Sequence, residues 1–113
     1  MYVLTVAANG PPLRSYQDAV DLVGLAWESD AALVVVPVQR LHEDFFELRS
    51  GVAGEIVGKL TSYRIRLVVL GDVSRHVAAS TSLRAFVEEA NRGREVWFVT
   101  DAADLDARIG GDA

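Results

Sequence analysis

Ala31-Ala32-Leu33-Val34-Val35-Val36-Pro37 is apolar throughout and has no polar residue at alternate positions. A strand with one wet face alternates; a strand covered on both faces does not, so Ala32 to Val36 reads as a central strand of a parallel sheet. The run continues only to Val38 and is broken by Pro37, far short of a bilayer span. Upstream, Tyr2 to Ala7 mixes apolar and β-branched residues and stops at the turn cluster Asn9-Gly10-Pro11-Pro12, which marks a first strand and its exit. Between these strands Ser15 and Asp18 have capping-box spacing. Ala19, Val20, Val23, Ala26 and Trp27 then recur at helical spacing, predicting a helix over Tyr16 to Glu28.

Downstream, Val52, Ile56, Val57, Leu60 and Tyr63 share one side of a second helix over Gly51 to Tyr63. Gly51, Gly54 and Gly58 form a stripe beside it against which another backbone is expected to pack. Arg64 to Leu70 is a third strand ending in Gly71-Asp72, and Ser80 to Arg92 a third helix with Leu83, Phe86, Val87 and Ala90 inward and Gly93 as its stop. Glu95 to Thr100 is a fourth strand, followed by a short helix over Asp101 to Ile109 and a Gly-Gly-Asp-Ala tail expected to fray. The expectation is one small α/β domain over residues 1–109, with a mainly parallel four-stranded sheet in β-α-β-α-β-α-β-α order and a disordered tail over 110–113.

Composition narrows the function classes. With 113 residues, half of them hydrophobic, there is material for one core and not for two. A net charge of −5 argues against a nucleic-acid backbone binder. The start, Met1-Tyr2-Val3-Leu4-Thr5-Val6, lacks the basic and long apolar segments of a secretory signal, so the expected location is cytoplasmic with no membrane partner. No cysteine is present, and neither His42 nor His76 has metal-ligand or triad spacing, so no metal and no cofactor is expected. Lys59 is the single lysine against ten arginines, which reads as codon bias. Glu55 with Lys59, and Arg84 with Glu88, have the spacing of surface ion pairs.

Sites in open parallel sheets form beyond the carboxyl ends of the strands, here the loops Pro37 to Ser50, Gly71 to Ser80 and Thr100 to Asp104. In the first, one reading has Phe45 and Phe46 plugging the sheet edge with the charges solvated; the other puts Arg49 and Ser50 beside a helix start suited to an anion. In the second, Asp72, Ser74, Arg75, His76, Ser80 and Ser82 gather before a helix, the best anion-site or partner-site candidate. The competing reading is plain capping by Ser80 with an Asx turn at Asp72. No Walker loop, dinucleotide fingerprint or nucleophile elbow is present.

Several segments together carry a resemblance: Asp44-Phe45-Phe46-Glu47-Leu48-Arg49-Ser50-Gly51-Val52-Ala53-Gly54-Glu55-Ile56, Tyr63-Arg64-Ile65-Arg66-Leu67, Gly71-Asp72, Ala85 to Gly93 and Val96-Trp97-Phe98-Val99. From about Asp18 to about Asp106 the chain resembles the bacterial family catalogued as domain of unknown function 4180, which implies a family without an assigned activity. It departs from the pattern at Gly58-Lys59, where relatives have Gln-Lys, and in a shorter first strand. A weaker likeness is to STAS-like modules, which act through protein partners and sometimes nucleotides. Where such modules are phospho-switches a serine stands at the helix start, a position read here as Phe45 or Phe46, which disfavours such a switch. The functional expectation is a STAS-like binding or regulatory module, a homodimer acting through a protein or small anionic partner. The alternative is a small enzyme or ligand-binding protein for an acidic metabolite, with Arg75, His76, Ser80 and Arg49 around its pocket.

Overall fold

A computed structural model describes residues 2–112. The sheet has four strands, all parallel: β1 (Tyr2–Thr5), β2 (Ala31–Pro37), β3 (Arg66–Leu70) and β4 (Val96–Val99), in spatial order β1-β2-β3-β4. Among the described residues five α-helices accompany them: α1 (Tyr16–Glu28), α2 (Val52–Ser62), α3 (Ser74–Ala79), α4 (Thr81–Arg92) and α5 (Ala102–Asp112). Strand order follows chain order, so crossovers of one hand lay every connecting helix on the same face. The larger core cluster accordingly unites Leu22 and Val23 of α1, Ile56 and Leu60 of α2 and Leu83 of α4 with Val34, Val36, Leu67, Val69, Val96 and Phe98 of the sheet. The alternate strand residues Leu33, Val35, Val68, Trp97 and Val99 face the other way and meet Leu105 and Ile109 of α5. Val34, Val35 and Val36 are at most 1 % exposed, as their unbroken apolar run requires.

The α/β class, the single parallel four-stranded sheet and the strand–helix alternation all agree with the sequence reading. The capping box at Ser15 forms in both directions, Ser15 accepting from the Asp18 N–H while the Asp18 carboxylate accepts from the Ser15 N–H. Several local expectations are corrected. The segment between Gly71 and Ser80 is no plain loop, since it forms the six-residue α3, which Val73 at its cap and Val77 within it dock on the main core. Trp27 does not face inward: the buried stripe of α1 is Ala19, Leu22, Val23 and Ala26, and Trp27 is 66 % exposed, edge-on to Tyr63 at 5.5 Å. Among the described residues nothing packs on the glycine stripe, because a Cβ at Gly51, Gly54 or Gly58 would meet no atom from elsewhere in the fold within 4 Å. Lys59 turns from Glu55 to the Tyr16 hydroxyl at 3.1 Å and to the Tyr63 ring, whereas Arg84 and Glu88 do pair, at 3.4 Å. Helix α5 continues through Gly110 and Gly111 to Asp112; of the tail expected to fray, Ala113 lies outside the described residues. Among the described residues no helix is long and apolar enough to cross a membrane.

Candidate functional site

The carboxyl ends of β2 and β3 deliver two segments side by side. After Pro37 the chain makes three short 3-10 turns, over Val38–Arg40, Glu43–Phe45 and Leu48–Ser50, before α2 begins. Phe45, fully buried, anchors the middle turn in the core; Phe46 touches it edge-on at 5.3 Å and is itself 5 % exposed. The pair is thus buried in the main core beyond the carboxyl end of β2, a central strand, and does not plug an edge of the sheet. Ser50 closes the segment by donating its hydroxyl to the Asp44 carbonyl at 2.6 Å and accepting from the Val52 N–H. After β3, Gly71 turns with φ +138°, a conformation open to glycine. Asp72 then accepts from the Ser74 N–H at 2.8 Å. Hydrogen bonds from the Ser74 hydroxyl and N–H hold the Asp72 carboxyl below its ordinary value.

Where the segments meet, His76 stacks on Phe46 with ring centroids 4.0 Å apart and planes within 9°. Arg75 reaches Glu43 across the junction at 3.9 Å and approaches His76 Nε2 at 3.3 Å. An arginine only donates, so Nε2 accepts and the ring proton belongs on Nδ1. Burial first, and the Arg75 charge second, push the His76 pKa down, keeping the imidazole neutral. Ser80 accepts from the Leu83 N–H at 3.1 Å as N-cap of α4. The result is a shallow cleft of about 200 Å³ lined by Glu43, Phe46, Glu47, Arg75, His76, Ala79 and Ser80.

Of the residues singled out by sequence, Arg75, His76 and Ser80 line this cleft. Asp72, Ser74 and Ser50 are spent on turns and helix starts, so the capping reading describes them. Arg49 projects into solvent, its side chain 97 % exposed, 3.8 Å from Glu47, and Ser82 is exposed on α4. The third loop is likewise a cap, with Asp101 accepting from the Asp104 N–H and Asp104 from the Thr100 N–H. Sequence reasoning missed Glu43, Glu47 and Ala79 as lining residues. The acids flanking Phe45-Phe46 were the available signal for the first two. The register of the STAS likeness is also corrected: α2 begins at Val52 with Gly51 as its cap, so the serine next to the helix start is Ser50, and Phe45 and Phe46 lie well before it. No group of acidic or histidine side chains among the described residues could hold a metal ion.

A larger recess of about 430 Å³ lies at the opposite end, between α2 and α4, lined by Val57, Phe86, Ala90, Val96 and residues 93–95. It is mainly apolar and lies at the amino ends of the strands, so topology favours the smaller cleft. No curated protein and no solved structure matches the chain. The family match spans residues 1–109, wider than the segments that first carried the resemblance, and the chain belongs to the family described as Domain of unknown function (DUF4180).

Proposed function

We propose that this domain is a binding or regulatory module of STAS-like kind, a homodimer that receives a basic side chain of a protein partner at the junction of Phe46, His76, Glu43 and Glu47. The observation that carries this reading is the excess of carboxylates at the carboxyl end of the sheet, where side chains also cap one N–H at the start of each of α2, α3 and α4. The Ser74 N–H is taken by Asp72, the Leu83 N–H by Ser80 and the Val52 N–H by Ser50. The same end carries Glu43, Asp44, Glu47, Asp72, Asp101 and Asp104 against Arg40, Arg49 and Arg75, a negative balance that repels a free phosphate or dicarboxylate. A cleft of about 200 Å³ is also below the roughly 300–1,000 Å³ of sites that enclose a small molecule. It suits one guanidinium or ammonium laid on the outer face of the His76 ring, which covers Phe46, and taking the place of Arg75 beside Glu43.

The test is an NMR titration with N-acetyl-arginine amide, a stand-in for the partner's side chain, beside inorganic phosphate, ATP and succinate. The arginine compound is expected to shift amides of residues 43–47 and 75–80 saturably, and Glu43→Arg to abolish the shifts. Saturable shifts from phosphate, ATP or succinate that vanish in Arg75→Ala would replace this reading with an anion site.

A further inference from the structure

The sheet has two edges, and they are treated differently. Leu67 donates to the Glu95 carbonyl and Gly71 to the Val99 carbonyl, so residues 95, 97 and 99 of the β4 segment face β3 and Phe98 faces outward. The outward Phe98 N–H is capped by the Asn91 side-chain oxygen at 2.8 Å. One outward donor of that edge is thereby taken. On β1, the Val6 N–H donates to Val35, so even-numbered residues face β2 while Val3 and Thr5 turn their N–H and C=O groups outward. Among the described residues no strand pairs with that side. Charge, lysine and proline, the usual guards of an exposed edge, are all missing from β1. Tyr2 is 69 % and Val3 40 % exposed.

Charge selects the occupant. In a chain of net charge −5, Tyr2 to Leu13 contains no charged residue, and this is its longest uncharged run. Two identical copies repel one another over most of their surfaces, and β1 is where they can approach without bringing like charges together. We infer that a second copy of this chain pairs with β1, the two strands antiparallel across a twofold axis centred on Leu4. In that register Val3 faces Thr5 of the partner subunit and the reverse, so each pair exchanges two hydrogen bonds and the sheets join into eight strands. A twofold pairing through β1 uses the same edge on both copies, so the assembly closes at two. This deepens the dimer named above and is independent of the cleft.

Light scattering over a hundredfold dilution from 100 µM is the measurement, with circular-dichroism melts confirming that each variant folds. The wild type is expected at twice the chain mass. Thr5→Pro removes an outward donor without touching the pairing to β2, and Val3→Lys adds an edge guard; each is expected to be monomeric, and either suffices if the other fails to fold. Gly54→Leu, on the open stripe of α2, is expected to remain dimeric. A monomeric wild type overturns the dimer itself. A folded Thr5→Pro or Val3→Lys that stays dimeric, or a monomeric Gly54→Leu, overturns the β1 interface while leaving the dimer in place.

Discussion

At Gly71 a methyl group would fall 2.8 Å from the Val38 side chain, on a backbone with φ +138°. Gly54 sits mid-helix with open space where a Cβ would go. The same substitution should therefore act in opposite senses. Gly71→Ala is expected to destabilise by about 2 kcal/mol or more, and Gly54→Ala to stabilise by about 0.5–1 kcal/mol, both read from urea melts. His76 gives a second residue-scale expectation. Its folded-state pKa is lowered, so the unfolded chain takes up the proton first and stability falls as pH drops below the ordinary histidine value of about 6.5. Asp18 and Asp72, also lowered, act only at more acid pH. His76→Phe keeps a ring on Phe46 and removes the titration. Its stability is expected to change less than that of the wild type between pH 7.5 and 5.5, and identical slopes would remove His76 from the account.

Element by element, what could be read beforehand was whatever depends on local chemistry. The start of α1 was legible because Ser15 and Asp18 complete a capping box within four residues. β2 was legible because burial on both faces leaves no room for polar alternation. Helix α3 was not, since six residues with only the Asp72 carboxylate on their first N–H do not stand on propensity and are held by Val73 and Val77 against a core assembled from distant segments. The cleft shows the same division. Ser80 could be recognised as a cap, but the stack of His76 on Phe46 joins the ends of two strands, and no spacing within either segment encodes it. Ser80→Ala is accordingly expected to cost about 1 kcal/mol through α4, and Arg75→Ala, whose partners are exposed, less than about 0.5 kcal/mol. Comparable losses for the two would mean that Arg75 anchors α3.

The whole molecule is sealed unequally. The four helices of the crossovers pack on one face of the sheet, while the other depends on α5, whose Leu105 and Ile109 meet Leu33, Val35, Val68, Trp97 and Val99. Around that contact Arg66 and Arg108 lie over the Trp97 ring at 4.3 and 4.6 Å, and Arg108 also donates to the Asn91 carbonyl, tying α5 to the end of α4. A face closed by one terminal helix should open before the sheet itself comes apart, because releasing α5 leaves the larger cluster and every strand pairing in place. Trp97, 4 % exposed, reports that opening, and Trp27, 66 % exposed, contributes a nearly constant background. Leu105→Ala removes the one buried leucine of α5 from this seal. It is expected to speed amide exchange across α5 by at least tenfold, to increase acrylamide quenching of Trp97, and to leave the exchange of β2 and β3 amides tied to global unfolding. If α5 and β3 amides instead exchange with one common free energy in both proteins, the two faces unfold as a single cooperative unit and the unequal seal has no dynamic consequence.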